Sequence, residues 1–176
     1  MNVLHDIDPG TADAMNVIVE IPKGAKNKYE IDKKTGLIKL DRVLHSAQDY
    51  PFDYGFVPRT LWDDGDALDV VLLTTHPLSS GILAPARPIG LLHMTDGGEA
   101  DEKIIAVPAG DPRFAGVADI ADANQHVLKE IAHFFATYKQ IQKKEVAVGK
   151  YEGRAAARRA FLRARKLYDA KHAANG

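Results

Sequence analysis

The hydrophobic pattern of the chain changes period near residue 123, and this change limits the folds that the chain can adopt. Before that point, short apolar runs with strand periodicity are separated by glycine, proline and aspartate. After it, residues 123–141 and 153–174 carry apolar side chains at helical spacing. Short strands at this spacing predict a closed barrel or a sandwich. Two helices are expected to pack outside it, which gives an α+β class with a mainly β core.

The first two-thirds of the chain contain seven candidate strand segments. Most of them mix β-branched residues with alternating polarity or form a continuous apolar run, and one, YPFDYGFVP, is an aromatic stretch bounded by prolines. They cover residues 16–22, 28–32, 37–44, 50–58, 68–75, 87–94 and 103–109. The tetrapeptide KKTG at 33–36 is typical of a hairpin turn between the second and third segments.

Each helical segment has an apolar stripe along one side. In the first segment the stripe consists of Val127, Ile131, Phe134, Tyr138 and Ile141. In the second it consists of Ala157, Phe161, Ala164 and Tyr168. No internal repeat and no long linker divides the sequence, so residues 1–176 are expected to form a single domain.

Composition excludes several kinds of function. The formal net charge of −1 provides no general attraction to nucleic acid or to membrane surfaces. The absence of cysteine excludes disulfides, thiolate metal sites and cysteine nucleophiles. No apolar run approaches the roughly 20 residues of a membrane helix, and the acidic start of the chain is unlike a secretory signal. We therefore expect a soluble, cytoplasmic protein that does not act at a membrane.

The stretch DDGDALDVVLL at 63–73 places four aspartates next to an apolar strand. One interpretation is an ordinary turn before a strand, since aspartate and glycine favour turns. The other is a cation site, because Gly65 allows Asp64 and Asp66 to converge, and Asp69 lies within the apolar run. Converging carboxylates repel unless hard cations compensate them, which favours Mg²⁺. The spacing does not fit an EF-hand calcium loop.

Two other functions are set beside the interpretation of the aspartates as a cation site. The second helical segment is rich in basic residues, so a barrel that binds nucleic acid through this helix is one alternative. Its bases are Arg154, Arg158, Arg159, Arg163, Arg165 and Lys166. They alternate with alanines, which favours a solvated helix face. A metal-dependent hydrolase for a phosphate ester is the second alternative.

Several segments together resemble the family I soluble inorganic pyrophosphatases. DGDALDV at 64–70 is similar to the family's aspartate motif. VIVEIP, KYEID, DRVL, YPFDYGFVP, RPIGLLHMTD, DEKIIAVP and IAHFFATYK resemble further family segments in the same order, over roughly residues 16–140. The resemblance implies a small closed five-stranded OB-like β-barrel flanked by two C-terminal helices. It also implies hydrolysis of pyrophosphate to two phosphates by hydroxide that metal ions activate, which drives biosynthetic reactions that release pyrophosphate.

The resemblance also assigns roles to residues. Asp64, Asp69 and Asp101 would hold the metals, Asp96 would bind a further metal with Asp101, and Glu20 would support a metal through water. Asp66 would be the general base. The leaving phosphate would be held by Lys28, Arg42, Tyr138 and Lys139. Lys103 and Tyr54 would contact phosphate oxygens, and the remaining pocket residues would be Glu30 and Tyr50.

These residues together carry three more negative than positive charges, so a polyanionic substrate would need several Mg²⁺ ions, with Mn²⁺ or other divalent ions as alternatives. The length of the chain resembles the short bacterial members, which implies a homohexamer, with His133 in an interface helix and Thr137 where a second histidine can occur. Ala67 departs from the family, which usually has a proline there, and this puts the rigidity of the loop in question. No role is assigned to Asp63.

Overall fold

The computed structural model describes residues 1–173, which form nine strands and two α-helices. The strands are β1 (Met15–Ile21), β2 (Asn27–Ile31), β3 (Ile38–Val43), β4 (Asp53–Phe56), β5 (Asp69–Leu72), β6 (Leu83–Asp96), β7 (Glu99–Ala100), β8 (Lys103–Pro108) and β9 (Val146–Gly153). The helices are α1 (Gln125–Thr137) and α2 (Arg154–Ala173). Short 3₁₀ turns lie at Pro112–Phe114, Ile120–Asp122 and Gln140–Gln142.

Five of the strands close into a ring, which confirms the predicted barrel. β1 pairs with β4, β4 with β5, β5 with β8, β8 with β6, and β6 pairs back with β1. The β5–β8 pairing is parallel and the other four are antiparallel. β2 and β3 form a separate hairpin, whose turn lies at 33–35 as KKTG predicts.

The barrel strands are buried on both faces, which explains their continuous apolar runs. In β5, Val70 and Leu72 belong to a cluster that includes the buried stripe of α2, whereas Val71 belongs to a cluster that includes α1. Side chains alternate along a strand, so one short run can serve two packing surfaces.

Both helices form where the apolar stripes predict them. Asn124 caps α1, and its side chain accepts hydrogen bonds from the N–H groups of His126 and Val127 at 2.9 and 3.4 Å. All four predicted stripe residues of α2 are buried. The predicted end of this helix at residue 174 lies outside the described residues. The place of Ile141 on the α1 stripe is wrong, because α1 ends at Thr137 and Ile141 is 65% exposed.

The hydrophobic pattern of the sequence did not predict β9, and it predicted a shorter β6 than the structure contains. β9 pairs with the distal half of β6, and its side chains are half-buried or exposed. It contains two glycines and a lysine, so it lacks the apolar run that marks the barrel strands. β6 is longer than its predicted range because it pairs in turn with β1, β8, β7 and β9.

Within residues 1–173, neither helix combines the length and the apolar character that crossing a bilayer requires.

Candidate active site

A polar cleft of about 480 Å³ lies beside the β2–β3 hairpin. Strands β1, β2, β4 and β5 and the loop before β5 supply its walls. Its charged lining residues include Glu20, Lys28, Glu30, Lys33, Asp66 and Asp69. Five of these residues were assigned roles from the sequence, and the sixth is Lys33. They come from distant parts of the chain but line one cleft.

The loop that carries the aspartates is held at both of its ends. Gly65 adopts a φ of +84°, which permits the sharp bend. The N–H of Asp66 donates to Oδ1 of Asp64 at 2.9 Å, and the N–H of Leu68 donates to the buried hydroxyl of Thr60 at 2.9 Å. Leu68 is fully buried, so the loop is anchored in the core immediately before β5. The predicted bend at Gly65 is therefore confirmed.

Asp66 lies at the rim of the cleft, where the structure pairs it with a cation that the sequence reasoning did not consider. Its side chain is 56% exposed and forms an ion pair with Lys33 of the hairpin turn. Burial raises the pKa of the neighbouring Asp64, partly offset by the hydrogen bond from the Asp66 N–H. Asp64 and Asp66 are both exposed, and they differ in their partners.

Asp69 and Asp101 converge on Lys103. The Lys103 ammonium lies 2.6 Å from Oδ2 of Asp69 and also forms an ion pair with Asp101. Burial alone would lower the pKa of Lys103, but the two carboxylates raise it well above its usual value. Burial raises the pKa of Asp101, partly offset by Lys103. The ammonium also lies 5.6 Å from the centre of the Tyr54 ring, and burial followed by the Asp69 charge raises the pKa of Tyr54.

Glu20 has the most perturbed carboxyl group of the cleft. It is buried at the end of β1, and burial together with the nearby Asp69 charge raises its pKa to about 8. Its Oε1 accepts a hydrogen bond from the N–H of Ile31 at 2.8 Å, which links β1 to the hairpin. A buried carboxylate with this environment would be stabilised by a nearby cation.

Asp96 and the residues after α1 form a separate polar group that does not line this cleft. Lys139 forms an ion pair with Asp96, and its ammonium lies 5.3 Å from the centre of the Tyr138 ring. Burial lowers the pKa of Lys139, partly opposed by the Asp96 carboxylate. Burial raises the pKa values of Tyr50 and Tyr138 above the ordinary tyrosine value.

The hairpin presents two cations side by side. Lys28 and Arg42 are directly opposite in the β2–β3 register, and Asp41 lies 3.1 Å from the Lys28 ammonium and 4.0 Å from Nη1 of Arg42. Glu30 is 3.8 Å from Lys28 and 3.5 Å from the exposed Lys39. Both cations therefore share one carboxylate partner, Asp41.

The chemistry of the donor set fits hard divalent cations, although lysines occupy the gaps between the acids. Every candidate ligand is a carboxylate, and none is sulfur or imidazole. Among residues 1–173, however, no three acidic or histidine side chains are arranged around one point. Lys103 separates Asp69 from Asp101, and a cation would have to displace its ammonium.

Several polar residues near the site were not singled out from the sequence. Asp41 directly precedes Arg42, and Lys33 belongs to the hairpin turn KKTG. Adding one acid and one base leaves the excess of three negative charges unchanged. Asp53 is fully buried and accepts hydrogen bonds from the N–H groups of Lys23 and Leu78 at 2.8 and 3.1 Å. Its role is to hold loops together.

Asp63, to which no role was assigned, lies apart from these groups. Its Oδ1 is 2.6 Å from Nη2 of Arg163 on α2. The Arg163 guanidinium also stacks over Trp62, 4.5 Å from the ring centre. This acid therefore ties the loop to the helix.

Comparisons with known proteins agree with this arrangement. The chain matches the inorganic pyrophosphatase family over residues 17–169. It is 49% identical over 166 residues to a soluble inorganic pyrophosphatase of Zea mays, covering 93% of this chain and 78% of that one. It is 50% identical over 143 residues to an inorganic pyrophosphatase of Geobacillus stearothermophilus, covering 81% of this chain and 87% of that one.

The fold leads to the same group of proteins. A crystal structure of an inorganic pyrophosphatase from Thermus thermophilus superposes with a TM-score of 0.92 at 41% identity, and the match covers 96% of this chain and 99% of that one. Because the match extends across the barrel, the aspartate loop and both helices, the chain belongs to the inorganic pyrophosphatase family.

Proposed function

We propose that this protein hydrolyses inorganic pyrophosphate to two phosphates in a reaction that depends on divalent cations. The observation that carries the proposal is the shared cleft, where the loop before β5 presents Asp66, β5 presents Asp69 and the hairpin presents Lys28. A phosphate anhydride needs both kinds of group, since acids attract cations and bases bind phosphate oxygens. The family membership supports pyrophosphate as the substrate.

The carboxylates would hold several Mg²⁺ ions, with Mn²⁺ as an alternative. Asp64, Asp69 and Asp101 are the proposed main ligands. Asp96 would share a further ion with Asp101, and Glu20 would act through water. When bound, such ions lower the pKa of water and offset the charge of the substrate. The raised pKa values of Glu20, Asp64 and Asp101 support this role, because burial and neighbouring acids leave these carboxyl groups short of positive charge.

The remaining residues would bind substrate and move a proton. Asp66 accepts a proton from the attacking water, since it is an exposed carboxylate that lines the cleft. Lys28 and Arg42 bind the leaving phosphate from one side, and Tyr138 and Lys139 bind it from the other. Lys103 and Tyr54 contact phosphate oxygens beside Asp69. Glu30 and Tyr50 complete the lining of the pocket.

Phosphate release from three substrates tests the proposal. Pyrophosphate, ATP and p-nitrophenyl phosphate are each assayed with Mg²⁺ and again with excess EDTA. We expect release from pyrophosphate with Mg²⁺, little from the other two, and none in EDTA. If pyrophosphate with Mg²⁺ released no phosphate, the proposal would be wrong. Preferential release from p-nitrophenyl phosphate would instead favour a hydrolase that acts on phosphate esters.

Binding of nucleic acid through α2 has less support. Arg154, Arg158, Arg163 and Arg165 each lie within ion-pair distance of an acid of the same chain. Such pairs reduce the positive field that a phosphate backbone would meet. We infer that α2 fastens the barrel, and that the protein acts in the cytoplasm as a homohexamer. Sedimentation analysis would test the oligomeric state.

A further inference from the structure

The segment before β1 forms part of the wall of the cleft. Leu4 lines the cleft together with Asp66, Ala67 and Glu20. We propose that residues 2–7, here called the N-terminal clamp, position the aspartate loop for the reaction, with Leu4 as the main positioning residue. This inference rests on the proposed role of the loop in binding cations and accepting a proton.

The clamp and the loop pack on the same apolar side chains. One small apolar cluster contains three residues of the clamp, the loop residue Ala67 and the barrel and hairpin side chains beneath them. Its members are Val3, Leu4, Ile7, Ala67, Ile18, Ile31 and Phe56. Ala67 thus lies in the same apolar contact set as the clamp, at the position immediately after the proposed base.

Hydrogen bonds connect the clamp to the rest of the molecule. The carbonyl of Leu4 accepts from the N–H of Arg59 at 2.9 Å, and the carbonyl of Arg59 accepts from Nη1 of Arg165 at 2.5 Å. Arg59 adopts a φ of 52°, which is rare for a residue other than glycine. Nδ1 of His5 lies 2.8 Å from the hydroxyl of Tyr168. Both Arg165 and Tyr168 belong to α2, so the clamp contacts this helix directly through His5 and indirectly through Arg59.

The loop needs this support at Ala67 in particular. Its neighbours are fixed by hydrogen bonds, since the N–H of Asp66 donates to Asp64 and the N–H of Leu68 donates to Thr60. Within residues 1–173, the Ala67 backbone forms no hydrogen bond of its own. Packing on the cluster that it shares with the clamp is therefore what restricts Ala67, and the direction of the Asp66 side chain depends on it.

If the clamp restricts the loop, a residue at position 67 with a stiffer backbone should compensate for loss of the clamp's packing. Proline fixes its own φ near about −65° and restricts the residue before it to extended conformations. The residue before it is Asp66. The N–H that proline removes is not used in the structure, so A67P should be tolerated. If Leu4 acts by restricting the loop, A67P should correct the defect that its truncation causes.

The experiment compares wild type, L4A, A67P and the double variant L4A/A67P. L78A is the matched control, because Leu78 is also half-buried but packs against the cluster under α2. Each protein is assayed for pyrophosphate hydrolysis over a range of Mg²⁺ concentrations, and its thermal unfolding is recorded. We expect L4A to lower kcat and to raise the Mg²⁺ concentration for half-maximal rate, each by about threefold to tenfold. L78A should lower the Tm without either change, and L4A/A67P should recover most of the rate.

Three outcomes would overturn the inference. They are an L4A variant with unchanged Mg²⁺ dependence, an L78A variant with the same kinetic defect as L4A, and a double variant as defective as L4A. If L4A does not fold, L4V should show a smaller change in the same direction, again corrected by A67P. The assignment of the reaction is tested separately by wild type, whose failure to hydrolyse pyrophosphate with Mg²⁺ would remove the proposed function itself.

Discussion

The ammonium group of Lys103 lies 2.6 Å from the carboxylate of Asp69, and both groups are largely removed from solvent. Together with Asp101, this pair fills the space where the proposed cations would bind. Lys103 therefore has two opposing effects, because it stabilises the acids in the absence of metal and competes with the metal for them.

Replacement of Lys103 by methionine should separate these effects. In EDTA, K103M should lower the free energy of unfolding by about 3–5 kcal/mol, because two buried acids lose their partner. Added Mg²⁺ should restore much of that loss, and calorimetric titration should show tighter Mg²⁺ binding than in wild type. K150M removes an exposed lysine that pairs with Glu152 and serves as the control. Weaker Mg²⁺ binding by K103M would contradict competition.

The two aspartates at the rim of the loop should differ sharply in their effect on rate. D66N should lower kcat by about 10²–10⁴-fold, because an amide cannot accept the proton. D63N removes an acid three positions earlier whose partner is Arg163, so it should keep nearly full activity. Full turnover by D66N would show that the base is a different group.

Glu20 predicts an unusual dependence of stability on pH in the absence of metal. Its pKa rises from 4.5 to about 8 on folding, so the folded protein holds a proton that the unfolded chain has lost. Stability from this group is therefore greatest below pH 4.5 and falls as the pH rises towards 8. Denaturant unfolding in EDTA should show this slope in wild type and a flatter profile in E20Q. At pH 8 we expect E20Q to be the more stable protein, and equal slopes would contradict the assignment.

Asp53 should matter for stability and not for metal binding. It is fully buried and accepts hydrogen bonds from Lys23, Thr74 and Leu78. D53N places an amide donor against these donors and should cost about 2–3 kcal/mol. The Mg²⁺ concentration for half-maximal rate should not change. A large change in that concentration would place Asp53 in the site and contradict its structural role.

The sequence predicted the parts of the fold that have a strong local pattern. Val70–Leu72 and the stripe of Ala157, Phe161 and Ala164 are buried as expected, because burial on both faces or on one helix side leaves a clear periodicity. β9 left no such trace, because Val146–Gly153 faces solvent along much of its length. Ile141 fits the helical spacing, but α1 ends before it, at Thr137.

The members of the site were predicted more fully than their contacts. Asp96 and Lys139 were each assigned, yet their ion pair joins positions that are far apart in the sequence. Lys33 and Leu4 were missed because each looked ordinary locally, as a turn residue and as a residue before the first strand. Their importance arises only where the hairpin, the aspartate loop and the segment before β1 meet.

The pairing between β1 and β6, which closes the ring of strands, affects the order in which the chain folds. It places Met15 opposite Ala86, so a long stretch of chain must be ordered before the ring can close. The contacts of Leu4 and His5 with Arg59 and Tyr168 then depend on α2, near the end of the described chain. During synthesis, the chain up to α1 would leave the ribosome before these contacts could form. We therefore expect the acidic cleft to be the last region of the protein to mature.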